Sequence, residues 1–423
     1  MKVLLISANT EAINMPIIPS GLACVAAAAS AARHTVELVD LLAAADPGRV
    51  LQEALRGFRP DVVGISVRNI DNQDMRSPRF LLEQVKDVVA VCRRFSRAPI
   101  VLGGAGYSIF PESVLAYLQA DMGIQGEGEV AFPMLLERLA RNLDVSDVPG
   151  VCLSGRRAQP ARVGPGTLDF FPLPDFRPWQ AAAVKADLWL PLQTRRGCPL
   201  ECSYCSTPAI EGHTLRERSA EIVADAVARY SRDGFRRIYF TDNTFNLPPS
   251  YALEFCRALA SRHLGVAWRC ILYPTCVDEE LVQEMARAGC REVSLGFESG
   301  SESVLRNMNK RFTPADVRQT CTLLAGHGIR RTGFLLLGGP GETMESAEES
   351  LVFADSLALE AVKVTAGIRI YPGTALAKTA LEQGMITMDD DLLFPRFYLA
   401  AGLGKQLFEL VADWTAARPN WIS

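Results

Sequence analysis

Long apolar runs are missing from this 423-residue sequence. The longest, Gly21 to Ala32, is alanine-rich and too short to span a bilayer, so membrane insertion is not expected. The N-terminus carries one lysine and then Val3-Leu4-Leu5-Ile6, without the h-region and cleavage-site pattern of a signal peptide. Basic runs are missing too. The net charge is −4 and charged residues are spread through the chain, which leaves no footprint for a phosphate backbone; nucleic acid is not an expected partner. No G-x-G-x-x-G follows the first strand, which disfavours a nicotinamide or flavin dinucleotide fold. No second Cys-x-x-Cys pair exists, which disfavours a four-ligand zinc site. Eleven cysteines without extracellular-style pairing imply a reducing compartment, so the expected location is cytoplasmic.

Cysteine is instead concentrated in one stretch, Arg195-Arg196-Gly197-Cys198-Pro199-Leu200-Glu201-Cys202-Ser203-Tyr204-Cys205. It follows an extended apolar-alternating run, Leu188 to Leu192, and sets three thiols in the spacing C-x3-C-x2-C. Thiolates at those intervals can wrap one corner of a [4Fe–4S] cubane and ligate three irons, leaving the fourth free to chelate something else. Cys256, Cys270, Cys276, Cys290 and Cys321 are scattered at intervals that suit buried apolar thiols.

The length gives room for two or three domains. Residues 1–150 alternate strand-like runs (Val3–Ser7, Thr35–Val39, Asp61–Ser66, Ile100–Gly103, Met122–Gln125) with helical patterns beginning near Ser20, Asp46, Ser77, Glu112 and Val130. Such alternation predicts an α/β fold with a doubly wound, Rossmann-like parallel sheet. Its ligands bind beyond the carboxyl ends of the strands. Gly103-Gly104-Ala105-Gly106 and Gly126-Glu127-Gly128-Glu129 lie at such ends, where glycine lets backbone approach a flat or bulky ligand. Residues 151–187 are broken by Pro160, Pro165, Pro172, Pro174 and Pro178 and interleaved with Phe170, Phe171, Phe176 and Trp179. They read as an ordered connector packed on both neighbouring domains, since free linkers are rarely so aromatic. From Leu188 the alternation resumes, with strands at Arg237–Thr241, Val266–Leu272, Glu292–Gly296, Arg331–Leu337 and Val362–Ile370 after the first. Residues 376–423 show no strand pattern and read as a small, mainly helical cap.

The cysteine stretch, including Tyr204 directly before the last thiol, resembles the signature of the radical S-adenosylmethionine (SAM) superfamily. The resemblance implies that residues 188–375 form a partial (β/α)6 barrel, with the active site at the C-terminal strand ends. It implies that the open iron binds the amino and carboxylate groups of SAM. An electron from an external reductant of flavodoxin or ferredoxin type then yields methionine and a 5′-deoxyadenosyl radical. Tyr204 belongs to the implied SAM site. Asp242 or Asn243, in Thr241-Asp242-Asn243-Thr244-Phe245, stands where the superfamily often has Gly-Gly-Glu and would accept from the methionyl ammonium. Glu298, in Gly296-Phe297-Glu298-Ser299-Gly300, suits the ribose hydroxyls, with Ser299 beside it. Gly338 and Gly339 leave room for the adenine edge, and Glu342 is left to the next helix N-terminus. Arg369 points to the barrel mouth if Ile368 and Ile370 face the helices. There it suits a substrate carboxylate, the methionyl carboxylate or a structural salt bridge, with Tyr371 nearby. Phe397, Tyr398 and Trp414 of the cap are candidates for a lid that keeps water from the site.

Residues 1–150 resemble the cobalamin-binding domain that precedes many radical SAM domains. The matching segments are Pro60-Asp61-Val62-Val63-Gly64-Ile65-Ser66, Val101-Leu102-Gly103-Gly104 and Gly126-Glu127-Gly128-Glu129. The implied corrin contacts are Ser66, Arg68, Asn69, Asp71, Gly103, Gly104, Gly106, Gly126, Glu127, Gly128 and Glu129. The Asp-x-His-x-x-Gly of many cobalamin domains is absent. Ser7 to Pro19 has no histidine and His34 lies beside a strand start, so cobalt is expected without a histidine lower ligand. Methylation of an unactivated carbon of a small-molecule substrate is the implied outcome, with cyclisation or ring rearrangement as the alternative. A non-catalytic corrinoid carrier or sensor leaves the cysteine triplet unexplained. A methylthiotransferase would carry three more cluster cysteines ahead of the barrel and a basic C-terminal module; here only Cys24 and Cys92 precede Cys152, and the tail is acidic.

Overall fold

The computed structural model describes residues 1–11, 18–42, 44–155 and 166–423. Pro160 and Pro165 of the connector, and residues 12–17 of the loop after the first strand, lie outside them. The chain divides into two compact units. One comprises Met1–Asn72, Arg79–Leu188 and Ser206–Arg216; the other comprises Gln73–Pro78, Trp189–Cys205 and Glu217–Ser423. Among the described residues no helix is long and apolar enough to cross a membrane.

The first unit holds a six-stranded sheet of β1 (Lys2–Ser7), β2 (Thr35–Asp40), β3 (Val62–Ser66), β4 (Ile100–Gly103), β5 (Met122–Ile124) and β6 (Val151–Cys152), in the order β2-β1-β3-β4-β5-β6. The first five run parallel, as the strand–helix alternation predicts, and β6 pairs antiparallel with β5 at the edge. β6 falls in the stretch read as connector; a two-residue strand shows no period to read. The chain order reverses between β1 and β3, which makes their carboxyl ends the crevice of this sheet. Helices follow local chemistry. Pro47–Phe58 has proline in its first turn, and the Asp46 side chain accepts from the Arg49 amide at 3.0 Å. The core is built from Val3, Leu5, Val62 and Val101 of the sheet with Leu22, Ala29, Phe132 and Leu135 of the helices. In the connector, the Trp179 indole donates to Asp40 at 2.8 Å, so this segment is packed on the first unit.

The second unit is organised by seven parallel strands, β7 (Leu190–Leu192), β8 (Arg237–Phe240), β9 (Ala267–Leu272), β10 (Cys290–Glu298), β11 (Arg330–Leu337), β12 (Ala361–Ala366) and β15 (Trp421–Ile422). Their order, β15-β12-β11-β10-β9-β8-β7, is that of a barrel left open. Side chains alternate in burial with period two. Val293, Leu295 and Phe297 are fully buried under helices, whereas Glu292, Ser294, Gly296 and Glu298 on the other face are half-buried. Phe240, Phe245, Phe255 and Trp268 form an aromatic cluster under the sheet, with ring centroids 4.9 to 6.4 Å apart. The tail is less purely helical than its pattern suggested. Besides β15, it supplies β14 (Phe397–Tyr398), which pairs antiparallel with β13 (Ile368–Arg369).

Candidate active site

The cysteine loop leaves β7 at the carboxyl edge of the second sheet. Cys198 is buried, and Cys202 and Cys205 are half-buried; none of the three is in a disulfide. The Cys205 amide donates to the Cys202 carbonyl at 3.1 Å, so the last two thiols share one tight turn. Burial pushes the Cys202 thiol up; Lys310 pulls it down and Cys205 raises it further. Among the described residues no three Cys, His, Asp or Glu side chains surround a single metal ion. A cubane asks for something different, one thiolate at each of three corners, and three cysteines outside any disulfide on one short loop fit that demand.

Glu298 ends β10 in an unusual backbone state. Its φ is +64°, and the pairing of β10 with β11 shifts register between Gly296 and Glu298. A bulge of this kind re-aims a side chain, and a left-handed glutamate costs ~1–2 kcal/mol that the surrounding contacts must offset. Those contacts are present. The Tyr204 hydroxyl donates to Glu298 Oε1 at 2.8 Å, and Lys310 Nζ donates to the same oxygen at 3.2 Å. Both bonds fall on Oε1, which leaves Oε2 for a ligand such as a pair of ribose hydroxyls. The sequence-predicted Tyr204 and Glu298 are thus brought together with the cysteine loop, through a lysine that no motif singled out.

Lys310 lies on the segment 307–312, which ties four parts of the site together. Asn307 donates to the Pro340 carbonyl at 2.9 Å, and Asn309 to the Glu201 carbonyl at 2.7 Å. The Met308 carbonyl accepts from the Ser203 amide at 3.0 Å, and the Arg311 amide donates to the Tyr273 hydroxyl at 2.7 Å. The middle of the cysteine loop, on both sides of Cys202, is therefore held by one short segment.

Several candidates turn out to be spent inside the protein. Asp242 is 1% exposed. It accepts from the Thr194 amide at 2.7 Å and the Arg195 amide at 3.1 Å, and from the Thr194 hydroxyl and the Arg195 guanidinium at 2.5 and 3.3 Å. It pins the start of the cysteine loop and has no acceptor left for an ammonium; half-buried Asn243 is the remaining member of that pair. Ser299 is fully buried, within 2.8 Å of the Ser350 hydroxyl. A Cβ at Gly338 would come within 2.6 Å of Leu399, and one at Gly339 within 2.5 Å of Met308. Both glycines make room for protein side chains. Glu342 does not serve the following helix, which Thr343 and Ser346 cap; it accepts from the amides of Gly338 and Gly339. Arg369 is buried between Ile368 and Ile370, and its guanidinium donates to the carbonyls of Ile370, Leu392 and Leu393 at 2.6, 2.8 and 3.3 Å. Its buried guanidinium clamps the tail rather than standing open at the barrel mouth. Tyr398 is 1% exposed and bonded to Gln383, and Trp414 packs beside Arg418 and Trp421. Of the lid candidates, Phe397 and Trp414 keep partial exposure, as does Tyr371. The tail does reach the strand ends: the Ala400 amide donates to the Gly338 carbonyl at 3.0 Å.

In the first unit, the loop Ser66 to Asp71 leaves β3 at the crevice. Ser66, Arg68 and Asn69 are half-buried, and Asp71 is buried. Gly104 (φ +100°) lets the Val67 carbonyl approach to 2.6 Å of where a Cβ would stand, and Gly106 does the same for Arg68 at 3.0 Å. These two glycines fit one loop of the protein to another, and Gly128 fits its helix against Val25. Gly103 and Gly126 stay half-buried at the strand ends, and Glu129 is buried in the first turn of its helix. Glu127 is spent on a buried ion pair with Arg216 at 2.6 Å. His34 sits at the amino end of β2, beside the Met1 amine, which is the wrong end of the sheet for cobalt.

Known proteins resemble this chain in sequence and in fold. The sequence profile of the B12 binding domain matches residues 6–136, and that of the Radical SAM superfamily matches residues 192–354. An uncharacterized methyltransferase of Pyrococcus horikoshii is 26% identical over 399 residues, covering 91% of this chain and 84% of that one. The tryptophan 2-C-methyltransferase of Streptomyces laurentii is 25% identical over 442 residues, covering 89% and 74%. The fold is that of the radical S-adenosylmethionine methyltransferase TsrM of Kitasatospora setae, solved with cobalamin and a [4Fe–4S] cluster bound. Its TM-score is 0.87 at 21% identity, over 100% of this chain and 90% of that one.

Proposed function

The chain belongs to the radical SAM enzymes that carry a B12-binding domain, and from that premise we infer that it transfers a methyl group to an unactivated carbon of a small-molecule substrate. Its cofactors are a [4Fe–4S] cluster, SAM and cobalamin. One observation carries the reading: the three-cysteine loop, Tyr204 and the bulged Glu298 meet in one hydrogen-bonded group on the half-open face of the second sheet. Cys198, Cys202 and Cys205 would hold the cluster, and the loop beyond Ser66 would face the corrin. When bound, the cluster and SAM supply one-electron chemistry and cobalamin supplies the methyl group.

The protein's own part is placement and exclusion of water. Asp242 and Arg195 fix where the cysteine loop starts, and Met308 and Asn309 fix its middle. Tyr204 and Lys310 hold Glu298 so that its second oxygen can orient a ribose. Asn243 is left to the methionyl ammonium, and Tyr371 and Phe397 border the substrate. The tail segment at Gly338, clamped by Arg369, shields the strand ends from solvent. A flavodoxin- or ferredoxin-type protein is the proposed electron source, and the cytoplasm the proposed location.

The test is an anaerobic incubation of the reconstituted full chain with reductant, hydroxocobalamin, SAM and candidate substrates. Methyl transfer requires 5′-deoxyadenosine and S-adenosylhomocysteine to appear together. Deoxyadenosine without S-adenosylhomocysteine would replace this reading with cyclisation or rearrangement.

A further inference from the structure

Lys310 has a feature that a stability role does not explain. Its side chain is 5% exposed and that of Glu298 13%, so an ammonium and a carboxylate are both taken out of water for a single 3.2 Å pair. Buried pairs of this kind often stabilise a fold no better than apolar residues of the same volume. The ammonium's other neighbours belong to the same site. Its nitrogen lies 3.4 Å from the Gly296 carbonyl, 5.3 Å from the centre of the Tyr204 ring and 5.9 Å from that of Phe312. The two residues before Lys310 are bonded to the two neighbours of Cys202: the Met308 carbonyl accepts from the Ser203 amide at 3.0 Å, and Asn309 donates to the Glu201 carbonyl at 2.7 Å.

We propose that Lys310 is a positioning residue that acts electrostatically. It fixes the Glu298 carboxylate and supplies a permanent positive charge beside the Cys202 corner, making the cluster easier to reduce. The proposal rests on the reading of Cys198, Cys202 and Cys205 as cluster ligands. Reduction brings one electron from the external reductant to the site, with no bond made or broken and one unit of negative charge gained. A three-thiolate cubane is already anionic, and net charge near the sulfurs is one of the levers that set its potential. A fixed cation therefore stabilises the reduced form more than the oxidised one. The charge must also be compensated when the site is oxidised, which is the part Glu298 plays.

The test uses the full chain, reconstituted anaerobically with iron, sulfide and corrinoid, and reads the midpoint potential by EPR-monitored redox titration without SAM. Lys310→Met is expected to keep its iron and to shift the reduction equilibrium at least tenfold toward the oxidised form, which for a one-electron couple is about 59 mV. Lys310→Arg is expected to restore the wild-type potential, which a purely packing role would not require. Because Lys310→Met leaves Glu298 without its partner, the same comparison is made between Glu298→Gln and the double variant Glu298→Gln/Lys310→Met, where no buried carboxylate is orphaned. The double variant should again be at least tenfold harder to reduce than Glu298→Gln. Equal potentials in that pair overturn the proposal even if Lys310→Met does not fold. Failure of the wild-type chain to take up iron would instead remove the cluster reading beneath it.

Discussion

Glu342 shows how a single side chain can make stability depend on pH. One carboxylate oxygen accepts from the amides of Gly338 and Gly339, and the other is buried with no hydrogen-bond partner. Burial pushes its pKa up to about 7, against the pull of the two amides. The folded value thus lies above the unfolded one, and between the two the native state holds more protons. Stability from this group is complete below the unfolded value and is lost as pH rises through 7. The shift corresponds to roughly 3 kcal/mol between about pH 4.5 and about pH 8. Glu342→Gln keeps an acceptor for the glycine amides and removes the titration. Urea unfolding at several pH values should show the wild type losing stability across that window relative to the variant. Parallel curves would mean that Glu342 is ionised throughout and satisfied by something else.

At the scale of elements, the segment 307–312 does what the long strands do not: it fixes the cysteine loop. Asn309 is its hinge, left-handed at φ +57° and bonded to the Glu201 carbonyl. Asparagine tolerates that conformation and alanine does not, so Asn309→Ala should cost ~1–2 kcal/mol of backbone strain plus the lost bond, whereas Asn309→Gly loses only the bond. Thermal melts should therefore rank wild type, then Gly, then Ala, and iron retention on desalting should follow the same order; a glycine variant worse than alanine would refute the backbone argument. This segment also marks the limit of what could be read from the sequence. The longer strands were legible as apolar runs, and some showed a period: β9 alternates half-buried and buried residues throughout, and its limits fall within a residue of the expected Val266–Leu272. The two-residue strands β6, β13, β14 and β15 have no period to show. The cysteines and Glu298 were legible because their chemistry is packed into short motifs. Lys310 was not, because the contacts around it join residues 94 and 108 positions apart, as in Tyr204–Glu298 and Asn309–Glu201. Asp242 and Arg369 misled for the converse reason: a charged residue at a strand end looks the same in sequence whether it faces a ligand or a row of buried donors and carbonyls.

At the scale of the whole chain, each unit has its own core and its own candidate cofactor crevice, so the two binding functions should be separable by mutation. The cysteines lie entirely in the second unit, and the corrin loop Ser66 to Asp71 lies in the first. Replacing Cys198, Cys202 and Cys205 together by alanine removes three small thiols, only one of them fully buried, which puts little of the second unit's packing at risk. Iron uptake should be abolished, since no ligand remains on the loop. Corrinoid uptake, read from the visible spectrum after desalting, should stay near one per chain. With iron gone the variant should form neither 5′-deoxyadenosine nor methylated product, while the bound corrinoid keeps its spectrum. Loss of corrinoid together with iron would show that the first unit's crevice depends on an assembled cluster loop, and the two cofactor sites would then have to be treated as one.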